Sequence, residues 1–107
     1  MERSIFDIQA DFCKAMGNAT RLQILHILRE RPLIVNEIVA QTGFSQSMVS
    51  RQLSALRSVG VVECQRHGTE MLYQLSDSQI GEVCDLVRKV LLEQMKKRSN
   101  VLFPSEQ

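Results

Sequence analysis

The chain has 107 residues, 44% of them hydrophobic and 23% charged, which suits one globular domain near the lower end of sizes that bury a comfortable core alone. With 13 Lys and Arg against 12 Asp and Glu, the net charge of +1 favours no class of partner, so any nucleic-acid contact must rest on local placement. No apolar run is long enough to span a bilayer, the charged start "MERSIFD" is not a signal peptide, and the three scattered cysteines do not form a secreted disulfide framework; a cytoplasmic protein with reduced thiols and no membrane partner is expected.

Ile5, Ile8, Phe12, Ala15 and Met16 recur at helical spacing and predict a first helix ending before "GNAT". Asn18 or Thr20 can cap a second helix, in which Leu22, Leu25 and Leu28, widened by Ile24 and Ile27, give the broad apolar surface of a central core helix. Pro32 interrupts the pattern. "VNEIVAQT" then predicts a short third helix with Val35, Ile38 and Val39 inward and Gly43 as its C-terminal cap. Ser45 is a good N-cap for a fourth helix whose Val49, Leu53 and Leu56 fall on one narrow edge, stopped by Gly60. "VVECQR" and "EMLYQL" around "HGT" predict a β-hairpin with Gly68 at its tip. From Ser76 a last helix runs through Ile80, Val83, Cys84, Val87, Val90, Leu91 and Met95 to near "KKRSN". One domain is expected over residues 1–98, with a flexible tail at 99–107.

A third helix, a tight turn through Gly43 and a fourth helix make a helix-turn-helix, and a hairpin directly after it is a wing. The expected fold is therefore mainly α with a small β-hairpin, a winged helix-turn-helix. In "GFSQSMVSRQLSALRSVG" the non-apolar positions are Ser, Gln and Arg, with no Asp or Glu from 43 to 60. A carboxylate there would be held against phosphates, whereas serine and glutamine can donate and accept toward base edges. The residues expected on DNA are Ser45, Gln46, Ser47, Ser50, Arg51, Gln52 and Arg57 from the fourth helix, with Arg66 and His67 from the wing.

The stretches "FCKAMGNATRLQILHIL", "VNEIVAQTGFSQSMVSRQLSALRSVGVVECQRHG" and "LYQLSD" resemble the ArsR (arsenic-repressor, SmtB-like) family of bacterial winged-helix regulators, over roughly residues 8 to 95. The resemblance implies a homodimer built on the first and last helices that represses by binding double-stranded operator DNA with an inverted repeat. It also implies release by a metal or by a change at cysteines. The apolar content of the first and last helices, more than one small core needs, points to the same dimer.

Two metal sites known in such proteins can be tested position by position. A Cys-Val-Cys pair at the start of the third helix is replaced here by "IVNEI", with Ile34 and Asn36 at the thiolate positions. An Asp-x-His…His-x-x-Glu set on the last helix becomes Asp77, Gln79, Val90 and Glu93, and two carboxylates without imidazoles are a poor transition-metal site. No metal and no cofactor is expected. Cysteine remains as sensing chemistry: Cys13 on the first helix and Cys84 on the last make a candidate thiol sensor for a small thiol-reactive inducer, although either can simply be a small core residue. Cys64, in phase with Val62, is expected in the core. His26 is expected in the core or at its rim, Arg21 packs near the start of its helix, and Lys96, Lys97 and Arg98 complement a helix end.

No Ser-His-Asp or Cys-His constellation, phosphate-cradling loop or acid pair is legible, so an enzyme is not expected. Two other readings stand beside an inducible repressor: a constitutive regulator without an inducer, and a winged helix used for protein docking.

Overall fold

The computed structural model describes residues 2–102 and contains α1 (Ile5–Met16), α2 (Ala19–Leu28), α3 (Val35–Thr42), α4 (Gln46–Ser58), the strands β1 (Val62–His67) and β2 (Glu70–Leu75), and α5 (Ser78–Leu102). This is the order read from the sequence. The last helix begins two residues later than expected and runs past residue 98, so 99–102 are helical; residues 103–107 of the expected tail lie outside the described residues.

Local chemistry sets the boundaries. Ser4 and Asp7 form a capping box that opens α1, and the Asn18 side-chain Oδ1 accepts from the Arg21 backbone N–H at 3.0 Å to open α2. Glu37 reaches back to the Ile34 N–H at 3.1 Å, and Gly43 takes a left-handed φ of 78° to end α3. At the end of α4 the Gly60 N–H donates to the Arg57 carbonyl and the Val61 N–H to that of Leu56, the paired bonds of a Schellman motif, with Gly60 at φ 79°. A side chain at Gly60 would have to hold that strained backbone.

The core gathers around α2. Ile24, Leu25 and Leu28 from α2 meet Ile38 from α3 and Val49, Leu53 and Leu56 from α4, closed by Leu33, Val61 and Val62. Leu22 falls on the predicted stripe but stays 38% exposed, and His26 is exposed rather than in the core. The hairpin pairs Val62 with Leu75 through His67 with Glu70. Leu33 adds a one-residue third strand: its N–H and carbonyl exchange hydrogen bonds with Tyr73 at 2.9 and 2.8 Å, fixing the wing base to the α2–α3 connection. Cys64 sits half-buried opposite Tyr73, in phase with Val62.

The outer helices contribute little to this core. α1 buries only Ala15, and α5 packs on α2 and β2 through Gly81 and half-buried Ile80 and Cys84. Apart from Leu22 and Met71, every large apolar side chain left exposed among the described residues lies on α1 or α5.

Candidate nucleic-acid interface

α4 is anchored by one edge and open on the other. Val49, Leu53 and Leu56 are fully buried, whereas Gln46, Ser47, Ser50, Arg51, Ser54 and Arg57 are exposed on the opposite arc. Ser54 was not among the expected residues, yet it lies four positions beyond Ser50 and seven beyond Ser47. That spacing is the signal that finds it. Arg51, Arg57 and Arg66 form no ion pair or side-chain hydrogen bond among the described residues. Their guanidinium groups are uncommitted cations.

Two of the expected residues are committed locally. Ser45 Oγ accepts from the Met48 N–H at 3.2 Å as the cap of α4 and lies 3.4 Å from Ser47 Oγ, leaving its hydroxyl hydrogen for a partner. Gln52 differs from its neighbours: it is half-buried off the exposed arc, and its Oε1 accepts from Arg21 Nε at 2.7 Å. The same arginine donates to the Ala15 carbonyl at 3.3 Å, so Arg21 joins α2, α4 and the end of α1. The Gln52 Oε1 is thereby engaged within the chain, between α2 and α4.

Arg57 stands in the last turn of α4, about 16 Å along the axis from Gln46. It lies at the far end of the helix from Gln46, Ser47 and Ser50. On the wing, Arg66 pairs across the ladder with Met71 and His67 with Glu70, so the two project from opposite hairpin faces. An open cleft of about 220 Å³ separates the wing from the start of α4, lined by Asn36, Gln46, Glu70 and Met71 among others. Among the described residues Glu70 is the one carboxylate lining this cleft. The neighbouring Glu37 is tied to the Ile34 N–H and to Arg31 at 3.0 Å, which hold its carboxyl below the ordinary range.

The two thiols of the candidate sensor line one apolar groove of about 310 Å³ between α1, α2 and α5, with Phe12, Met16 and Val87. Cys13 is exposed and Cys84 half-buried. Burial pushes the Cys84 thiol above its ordinary range, Arg88 opposes that and Asp85 adds to it. Asp77, the first of the aligned metal positions, caps α5: its Oδ1 accepts from the Gln79 N–H at 2.8 Å. Among the described residues no three His, Cys, Asp or Glu side chains gather as a metal site, and no helix is long and apolar enough to cross a membrane.

Comparison with known proteins places these features. Residues 18–63 match the model of the bacterial regulatory protein arsR family, a helix-turn-helix family. The HTH-type transcriptional regulator Rv0081 of Mycobacterium tuberculosis is 34% identical over 99 residues, covering 92% of this chain and 87% of its own length. Its crystal structure superposes with a TM-score of 0.80 at 33% identity, over 91% of this chain and 98% of that one. The homodimeric winged helix-turn-helix DNA-binding domain of Mb0332 from Mycobacterium bovis, solved by NMR, gives 0.77 at 33% identity, covering 87% and 91% of the two chains. The reduced form of HlyU from Vibrio cholerae gives 0.71 at 31% identity, covering 78% and 88%. With a helix-turn-helix and wing in place, a cationic, carboxylate-free α4 and relatives matched over most of their length, this chain belongs to the ArsR family of winged helix-turn-helix, DNA-binding transcriptional regulators.

Proposed function

We propose that this protein is a cytoplasmic, dimeric repressor that binds an inverted-repeat operator and leaves it when a thiol-directed signal reaches Cys13 and Cys84. The carrying observation is the pairing of two unpartnered surfaces on one chain. One is the arc of α4 bearing Ser47, Ser50, Arg51 and Ser54; the other is the apolar face shared by α1 and α5. A two-fold pair of such chains presents two α4 helices at once, and the homodimeric state of the Mb0332 domain supports that arrangement. In the proposed complex Ser47, Ser50 and Arg51 meet base edges, Arg57 and the wing's Arg66 or His67 meet phosphates, and Gln46 sits at the groove wall.

The thiol reading rests on Cys13 and Cys84 lining the same groove, on the two helices that would set dimer geometry. That HlyU has been solved in a form named reduced is in keeping with it. Capping either thiol adds bulk to a groove whose walls are dimer helices. Zinc, nickel and cobalt have no such lever, since Gln79 and Val90 stand where imidazoles would be required. A constitutive regulator is the second reading, and the burial that raises the Cys84 thiol favours it, because less thiolate is available to react.

The test begins with an operator selected by the wild-type protein from random duplexes. It should be an inverted repeat with half-sites about 10–10.5 bp apart or a multiple of that, occupied by two chains, and its occupancy should lower transcription from an adjoining promoter. Wild type, Cys13→Ser and Cys84→Ser are then titrated reduced and after oxidant, persulfide or arsenite. Release from wild type alone supports the inducible reading; retention of the operator by all three proteins leaves the constitutive one, and identical release by all three removes Cys13 and Cys84 from the switch.

A further inference from the structure

α5 carries most of the unpartnered apolar face, yet its polar attachment to the rest of the chain is a single side chain. Among the described residues Arg29, at the C-cap of α2, is the one side chain outside the helix and its own N-terminal cap that hydrogen-bonds to it. Its Nε donates to Asp85 Oδ2 at 2.8 Å and its Nη1 to the Ser78 carbonyl at 3.0 Å, while Arg88 holds the other Asp85 oxygen at 3.0 Å. The guanidinium lies directly across buried Gly81. A Cβ there would collide with Arg29 Cδ and would stand 2.8 Å from Nη1 and 2.9 Å from Nε. Glycine inside a helix is unfavourable by about 1 kcal/mol relative to alanine, and here the space explains it.

The other end of α2 repeats the arrangement. The single side-chain hydrogen bond between α4 and another helix, among the described residues, is that of Arg21 with Gln52. Both of α2's ends therefore carry an arginine joint, one to α5 and one to α4, with Ile24, Leu25 and Leu28 buried between them. Apolar packing is non-directional and tolerates small slides, whereas a forked guanidinium on fixed acceptors sets an orientation.

We propose that Arg29, seated over Gly81 and held by Asp85 and the Ser78 carbonyl, is a positioning residue for operator binding. It fixes α5 on α2, and Arg21 through Gln52 carries that setting to α4. The inference rests on the dimeric operator-binding reading, because only in a dimer does the seat of α5 decide the separation of two α4 helices. A displacement of about 3.4 Å is already one base pair of spacing.

The experiment uses the operator selected by wild type, versions with one base pair removed from or added to the spacer, and a single half-site duplex. Gly81→Ala crowds Arg29 without removing charge, and should lower affinity for the selected operator about five- to tenfold while half-site affinity holds. Preference among the three spacings should flatten or shift. Arg29→Ala should do the same, and Gly81→Ala added to it should cause no further loss, because the side chain it displaces is gone. Asp85→Asn is the variant to use if Gly81→Ala does not fold, and it should reproduce the flattened spacing preference. Variants that melt lower but keep wild-type affinity and spacing preference overturn the proposal, as does additive loss in the double variant. A wild type that selects no inverted repeat overturns the regulatory reading and this inference together.

Discussion

Truncating Leu91 to alanine should weaken self-association without disturbing the fold. Leu91 keeps 53% of its surface exposed on the single chain, on the same side of α5 as Val83, Val87 and Val90. Full burial of a leucine side chain is worth about 1.5–3 kcal/mol, so covering the exposed half contributes about 1 kcal/mol. A two-fold interface counts the substitution twice, for about 2 kcal/mol, or a roughly 30-fold rise in the dimer dissociation constant. Leu92 is the internal control: it is 58% exposed, but three of its four helical neighbours, Arg88, Lys89 and Lys96, are cationic, and Met95 alone is apolar. Leu92→Ala should leave association unchanged. Sedimentation equilibrium over a concentration series reads both constants, with far-ultraviolet circular dichroism confirming the fold, and operator affinity should fall with Leu91→Ala in step with the loss of dimer. Equal effects from the two substitutions, or none from Leu91→Ala, would refute the assignment of this face.

The remaining expectations concern readout, thiol chemistry and acid. Arg51→Ala should weaken operator binding by about 1–3 kcal/mol and relax preference at one position per half-site, while Arg66→Ala should weaken all sequences alike and make the salt dependence shallower by about one contact per subunit. Equal loss of specificity from both would reverse the roles given to helix and wing. Iodoacetamide near neutral pH should label exposed Cys13 well before half-buried Cys84, whose thiol burial pushes upward, and raising the pH should narrow the gap, as mass spectrometry of timed samples will show. Asp85 is held below the ordinary aspartate range by hydrogen bonds first from Arg29 and then from Arg88, and Glu37 by the Ile34 N–H and Arg31. Their contribution is full above the ordinary carboxylate range and is lost as pH falls through the lowered folded values. The melting temperature should accordingly drop in acid, and Asp85→Asn should flatten that limb; an unchanged acid slope would remove Asp85 from the account.

What could be read from the sequence was local. The Val49, Leu53, Leu56 edge follows from helical period, and Gly43 and Gly60 each mark a helix end that needs a left-handed residue. What escaped depends on partners distant in the chain. Gln52 looks as available as Gln46 in one dimension, and only the packing of α2 on α4 shows that Arg21, 31 positions earlier, has taken its carbonyl. The Leu33–Tyr73 bridge joins a loop to a strand with no period to announce it. Leu22 and His26 show the same limit from the other side, since a stripe tells which face is apolar but not how far the neighbouring helices reach over it.

The positions on α5 where the family resemblance implies metal ligands are occupied differently in this chain. Asp77 keeps a carboxylate, but its oxygen is engaged two residues on by the Gln79 N–H, where it starts α5 rather than awaiting a cation. Val90, at a position where the family resemblance implies an imidazole, is a branched apolar side chain exposed beside Val83, Leu86 and Val87, which extends the apolar face of α5. Such a face associates through burial, which is indifferent to zinc and insensitive to small changes of angle. Control over angle then has to come from directional contacts on α5, and among the described residues those outside its own turns are made by Arg29. On the proposed reading, a signal would act by moving α5, either at that joint or from the groove that holds Cys13 and Cys84 on its flank.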